Sequence, residues 1–379
     1  MRNIAVFSPI RPSYSETFIN AHLQRLPYKT WLFYSLPQMG YHPIYDGENR
    51  PLSSDLKWVN YLETGIDRLF GESGTGYFFR RRSMLQFFQK HRIEAALAEY
   101  GPTATYLLPA LKQAKLPLII HFHGRDAYHY GTLQRFGARY KKAFDYASAI
   151  IAVSDDMRRQ LLQLGAPEHK LILNPYGPNT ELFHLPSEYH LRPPVFLAVG
   201  RFTGKKAPFT TIRAFHRVWQ QHPEARLIMV ADGPLWEASK ALVRELGMEH
   251  AVMFTGPQPA ERIAEWHMAA MAFVQHSVRD VDGDSEGTPV AILEAMASGL
   301  PVVATRHAGI KDVVLEGETG LLVDEGDEAG MATQMIQLVE NPTLARQMGL
   351  AGAQRIQDHY TMERHIGVLA EVIAACLKP

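Results

Sequence analysis

The sequence predicts an α/β chain built as two Rossmann-like domains, and three observations carry that expectation. Short apolar runs recur along the chain, from NIAVFS at 3 to 8 to PVFLAVG, RLIMVADG, AVMFTG and MAFVQHS in the second half. Helical stretches separate them, the alternation that builds a parallel sheet. The 379 residues, 46% of them hydrophobic, suffice for two units with separate cores. A proline-rich stretch from Pro175 to Pro194 marks the hinge between them.

In chain order, NIAVFS is a buried first strand, and SETFINAHLQRL (15–26) is the helix after it, with Ser15 as N-cap and Glu16 in the first turn. The intervening PIRPSY has no glycine, which argues against a dinucleotide-dependent oxidoreductase. Residues 36–76 mix periodicities and turn residues, so little structure is assigned there. In 77–95, Phe78, Phe79, Phe87 and Phe88 alternate with Arg80, Arg81, Arg82, Lys90 and Arg92. Two readings stay open: a helix that covers its own domain with a basic outer face, or one that lies on an anionic membrane surface. A second basic cluster, Arg135, Arg139, Lys141 and Lys142, would join the latter if it shared that side.

LPLIIHFHGRDAY (116–128) is an apolar strand whose end carries His121, His123, Gly124 and Asp126, where open parallel sheets collect ligands. The His121, His123 spacing alone could serve a metal, but no third ligand follows from spacing and none is expected. AIIAVSDDMRRQLLQLG (149–165) repeats strand, serine cap and helix, and KLILNPYG closes the first domain, set at 1–178. The second domain is set at 190–359.

The most informative stretch is SEGTPVAILEAMASGLPVVAT, 285–305. Thr288 is the expected N-cap and Pro289 the first helical residue, with Gly299 and Pro301 ending the helix. That start leaves the N–H groups of Gly287, Thr288 and Val290 at the positive end of the helix dipole, a seat for phosphate. Glu286 lies just before the seat, and Glu294 one turn after Val290 on the same face; each carboxylate can accept from two hydroxyls of a sugar diol. Upstream, VGRFTGKKAPFTTI (199–212) places Arg201 at a strand end and Lys206 near the next helix. Two such cations can stabilise a departing diphosphate by ~2.7 to 4 kcal/mol each, by analogy with oxyanion donors. Lys205 is read as the solvated neighbour. DVDGDSE (280–286) is not a calcium loop, because Gly283 comes too early, and is read as a polar loop beside the sugar pocket.

Glu286, seven residues, Glu294 and the AMASGLPVVAT run resemble the retaining GT-B glycosyltransferases of family 4, most specifically over 195–323. The resemblance implies a GT-B fold with a cleft between the domains and a last helix, 360–379, packed back on the first. It implies Arg201 and Lys206 on the donor diphosphate, Glu294 on the ribose and Glu286 on sugar hydroxyls, with a covalent role for Glu286 left open. His123 matches the family's histidine beside the donor sugar, Asp126 orients it or binds an acceptor hydroxyl, and Pro257 and Gln258 neighbour the base. The chain departs from many members in lacking a glycine-rich loop after its first strand. It is similar to an exopolysaccharide-type subset with a SETF sequence, which implies that Ser15, Glu16 and Thr17 face the donor phosphates or the acceptor. The implied reaction is metal-free and cofactor-free retaining transfer of a hexose from a UDP-sugar, with a GDP-sugar second, to a lipid-linked or polysaccharide acceptor. A sugar-nucleotide epimerase and a non-catalytic sugar-nucleotide binder are the alternatives.

Composition sets outer bounds. The formal net charge of +0 gives no case for nucleic acid, and the single cysteine, Cys376, excludes an internal disulfide. The N-terminus does not read as a secretory signal, and no run approaches the ~20 apolar residues of a spanning helix. The expected location is cytoplasmic, or peripheral at the inner face of the cytoplasmic membrane.

Overall fold

The structure, a computed structural model, describes residues 1–9, 17–34, 75–186 and 193–377. Ser15, Glu16 and most of the 36–76 segment lie outside the described residues, as do the side chains of Phe78, Phe79 and Arg80.

Two six-stranded sheets, every pairing parallel, form two lobes. The first comprises β1 (Asn3–Ser8), β2 (Lys29–Tyr34), β3 (Ile93–Glu99), β4 (Leu118–His121), β5 (Ala149–Ala152) and β6 (Leu171–Leu173), in the order β2-β1-β3-β4-β5-β6. The second comprises β7 (Val195–Val199), β8 (Arg226–Val230), β9 (Val252–Gly256), β10 (Ala272–Gln275), β11 (Val302–Thr305) and β12 (Gly320–Val323), in the order β12-β11-β10-β7-β8-β9. Strand order reverses between β1 and β3 in the first sheet and between β7 and β10 in the second. Loops leaving on opposite sides of the sheet open a crevice at such a point, so each lobe has one place prepared for a ligand.

The inner strands are short and mostly apolar because helices cover both faces. β4, β5, β10 and β11 are buried throughout. Helix Thr75–Lys90 follows the same logic: Met84, Phe87 and Phe88 are buried, with Phe87 edge-on to Phe33 at 4.8 Å and Phe88 edge-on to Phe7 at 6.2 Å. Of the two readings of 77–95, these phenylalanines follow the first: they anchor the helix to its own lobe, and Arg82, Lys90 and Arg92 are exposed. Among the described residues no helix is long and apolar enough to cross a membrane.

After helix Pro342–His359 the chain returns to the first lobe. Helix Met362–Cys376, capped by Thr361, buries Met362, Ile366, Leu369 and Ile373 against Ile4, Val6, Leu97, Ile119 and Ile151 of β1, β3, β4 and β5. Its apolar residues recur at helical spacing, and the sheet face they cover is what keeps the helix in place.

Candidate active site

The second lobe supplies a pocket at its switch point. Gly200 and Arg201 follow β7, Val274 and Gln275 end β10, and Lys206 comes from the 3-10 turn Gly204–Lys206; together they line one cavity. Arg201 and Lys206, singled out by spacing, therefore meet in space. Lys206 Nζ lies 3.1 Å from Glu286 Oε1, and Ser277 Oγ donates to the same oxygen at 3.2 Å. Burial alone would raise the Glu286 pKa, but Lys206 and then Lys205 outweigh it and hold the carboxyl down at about 2.

The loop around Glu286 is fixed by residues the sequence reading did not use. His307 Nδ1 donates to Glu325 at 2.6 Å, which leaves its Nε2 to accept from the Ser285 hydroxyl at 2.9 Å and the Glu286 N–H at 3.3 Å. The signal was local: RHAG follows β11 directly, at a strand end that faces the loop. Lys205 is not a solvated neighbour. Its Nζ is 3.3 Å from Asp284, and Arg125 of the first lobe lies 3.7 Å from the same carboxylate. Asp282 likewise pairs with His129 at 3.3 Å and accepts from the Tyr130 N–H through its carbonyl at 2.8 Å. The acidic loop is thus a strap across the cleft, its carboxylates engaged by cations of both lobes.

The helix after this loop runs Val290–Ala297 with Pro289, not Thr288, as N-cap. Thr288 does not cap because its hydroxyl donates across the cleft to the Val153 carbonyl. The N–H groups of Gly287, Thr288 and Val290 nonetheless make no hydrogen bond within the described residues, although Gly287 and Thr288 are buried. Buried donors without acceptors are rare, and three at a helix start form a fit for an anionic oxygen. Along the helix Val290, Ala291 and Glu294 stay partly exposed while Ile292, Leu293, Ala295 and Met296 are buried, so Glu294 stands on the open face with Val290. Burial pushes its carboxyl up to about 8.

From the first lobe, the end of β4 reaches the same loop. A Cβ on Gly287 would stand 2.5 Å from the His123 carbonyl oxygen, and Gly124, at φ 144°, packs against the Ser285 carbonyl. Glycine is required at 287 for this approach. Asp126 is buried; its Oδ1 accepts from the N–H groups of His123 at 3.0 Å and Gly124 at 3.1 Å, and Oδ2 from Gly101 at 2.9 Å. Asp126 therefore clamps the backbone of the His123 turn, and its burial leaves no oxygen for an acceptor hydroxyl. The His123 ring is stacked on Phe18 at 4.5 Å, with both nitrogens bonded inside the protein, to Tyr176 and Glu99. His121 is fully buried beside it.

Two remaining residues are peripheral here. Thr17 opens helix Thr17–Arg25 and is exposed. Gln258 closes the turn after β9 by donating to the Thr255 carbonyl at 2.9 Å, so its side chain is occupied locally. Among the described residues the His121, His123 pair gains no third ligand; the group that brings donor atoms within 4.8 Å of one another is His22, Glu99 and His121, without His123.

Comparison with known proteins follows this geometry. The family model described as Glycosyltransferase Family 4 matches residues 36–182, and that described as Glycosyl transferases group 1 matches 184–355. The amylovoran biosynthesis glycosyltransferase of Erwinia amylovora is 28% identical over 72% of this chain and 68% of its own length. A GDP-mannose-dependent phosphatidylinositol monomannoside mannosyltransferase of Mycolicibacterium smegmatis is 32% identical over 48% of each chain, so only about half of that relative is spanned. Anabaena HepE, solved in complex with UDP, superposes with a TM-score of 0.77 at 15% identity, over 99% of this chain and 100% of that one, which shows the shared GT-B fold. With one model on each lobe and the fold in common, the chain belongs to the family 4, group 1 glycosyltransferases.

Proposed function

We propose that the protein transfers a hexose, with retention of configuration and without a metal ion, from a UDP-sugar to a lipid-linked or saccharide acceptor in exopolysaccharide assembly. The observation that carries this reading is the Lys206–Glu286 pair at 3.1 Å beside Arg201, at the switch point of the second sheet. A donor diphosphate takes Lys206, Arg201 and the N–H groups of Gly287, Thr288 and Val290, neutralising the charge that develops as it leaves. Glu286, released from Lys206, then holds sugar hydroxyls, and Glu294, kept protonated at neutral pH by burial, accepts from one ribose hydroxyl and donates to the other. The bond from C1 to the phosphate oxygen breaks and the bond from C1 to the acceptor oxygen forms on the same face. The acceptor's proton passes to the departing phosphate. The Lys206 and Ser277 contacts that hold Glu286 Oε1 favour this positioning role over covalent attack.

The UDP complex of HepE and the name of the amylovoran enzyme support donor and pathway class, and the mycolicibacterial enzyme keeps GDP-mannose as the second donor. With Phe87 and Phe88 spent on the lobe's own core, peripheral attachment to an anionic membrane would rest on the exposed cations alone, Arg82, Lys90 and Arg92 with Arg135, Lys141 and Lys142 on helix Tyr130–Tyr146. The test is incubation with a panel of UDP- and GDP-sugars, with and without EDTA. Release of nucleoside diphosphate, unchanged by EDTA, is the expected result. A sugar altered within an intact nucleotide would mean epimerisation, and binding without turnover would mean a silent member.

A further inference from the structure

A buried carboxylate and four histidines, from four separate stretches of the chain, meet at the switch point of the first sheet, opposite the donor pocket. Glu99 ends β3 level with His121 of β4 and is fully buried. Its Oε1 stands 2.7 Å from His22 Nδ1, and its Oε2 stands 2.8 Å from His123 Nε2 and 3.3 Å from His121 Nδ1. The chain of contacts continues from His22 Nε2 to His365 Nε2 at 2.9 Å, on helix Met362–Cys376, and from His365 Nδ1 to the Pro175 carbonyl at 2.9 Å.

The acceptors at the ends assign the protons. The Pro175 carbonyl can only accept, so His365 donates from Nδ1, and burial keeps its ring neutral, which leaves Nε2 to accept. His22 must then donate from Nε2, and also from Nδ1 to a carboxylate, which makes its ring an imidazolium paired with Glu99. His123 donates from Nε2 to Glu99 and accepts from the Tyr176 hydroxyl at Nδ1. Burial alone would raise the Glu99 carboxyl, yet the three histidines hold it well below the usual range; burial with the His22 charge pushes His365 well down and keeps it neutral.

We propose that Glu99 is a positioning residue: its carboxylate fixes the His123 ring behind the donor loop and, through His22 and His365, ties that turn to the returning helix. This rests on the placement of His123 at the donor sugar. The His123 carbonyl is pressed against Gly287, so a ring that loses Glu99 drags the turn against which residues 285–288 are seated. A metal on His22, Glu99 and His121 is the competing use of the cluster. Two ligands of a tetrahedral ion with ~2.0 Å bonds stand roughly 3.3 Å apart, and the 2.7 Å of His22–Glu99 is a hydrogen bond instead.

Glu99→Gln keeps volume but sets an amide donor against one imidazole N–H. It should lower kcat by roughly 10- to 100-fold, the usual cost of losing a histidine's supporting partner, with donor KM and UDP affinity within about twofold. In protein labelled with 15N-histidine, the imidazole N–H signals of His22 and His123, assigned through His22→Gln and His123→Gln, should both move in Glu99→Gln. Unchanged kcat, unmoved signals, an equal loss of UDP binding, or stoichiometric metal in the purified wild type would each overturn the proposal. The spectra need no turnover, so a wild type inactive on every donor would sink the functional reading while the positioning role is still decided.

Discussion

Lys206→Ala tests the centre of the site. Lys206 is only 19% exposed at its side chain and Glu286 9%, so the pair is shielded from solvent and its loss should be felt. The Glu286 carboxyl sits at about 2 against an ordinary 4.5, a difference of 2.5 units. At 1.36 kcal/mol per unit that is about 3 kcal/mol of stability. The sign follows from the depressed value: the contribution is complete above pH 4.5, where the unfolded carboxyl is also ionised, and is lost as pH falls toward about 2. Lys205 shares the effect, so removing Lys206 should cost roughly 1 to 3 kcal/mol at pH 7 and less at pH 3, read as a fall in Tm that narrows on acidification. In turnover the loss is one donor to the leaving diphosphate, on the order of 10²- to 10³-fold in kcat. A continuous assay of nucleoside diphosphate release at saturating donor measures it, with thermal melts at both pH values. Turnover within threefold of wild type would refute the assignment of the diphosphate site, whatever happens to Tm.

Two further variants separate nucleotide recognition from cleft closure. Glu294→Gln removes a carboxyl that burial holds at about 8; because this folded value lies above the unfolded one, wild-type stability should fall as pH rises from 4.5 through about 8. The variant's Tm should be flatter over that window and higher than wild type at pH 9, while its UDP affinity by calorimetry falls about tenfold; equal affinity would move the ribose away from Glu294. Gly287→Ala places a Cβ 2.5 Å from the His123 carbonyl and 2.9 Å from Val153 Cγ2. The lobes should part slightly, and activity should drop about 10²-fold, as for an ångström of misplacement, with UDP binding kept; an unchanged radius of gyration and full activity would contradict a closed working form.

What could be read from the sequence was what local chemistry decides. Strand ends at Val199, Gln275 and Thr305 were visible because apolar runs stop at polar or glycine residues, and Ser154 caps its helix with its Oγ on the Met157 N–H, as its position suggested. Thr288 misled because propensity favours a cap wherever threonine precedes proline, and only tertiary structure offers it the Val153 carbonyl instead. β3, IEAALAE, went unread since alanine is the best helix former, although a strand buried on both faces needs small residues as much as branched ones. With β3 went Glu99. Its contacts to His22 and His123 span 77 and 24 residues, and His22 reaches His365 across 343, separations at which periodicity carries no signal.

The acidic loop carries two kinds of ion pair, one that reaches across to the first lobe and one that stays within the second. Lys205 and Arg125 hold Asp284 from opposite sides, while Lys206, the next residue, holds Glu286 two positions along the same loop. At the proposed donor site, a diphosphate that draws Lys206 away would act on a loop already pinned to both lobes and would release Glu286 without opening the strap. The strap gains nothing from the donor directly, since Asp282 and Asp284 are spoken for by His129, Arg125 and Lys205. Neutralising it, as in Asp284→Asn, should leave nucleotide affinity near wild type and lower kcat, because closure, and not diphosphate binding, is what those pairs stabilise. Loss of UDP affinity in that variant, with kcat preserved, would invert the assignment and make the acidic loop part of the nucleotide site.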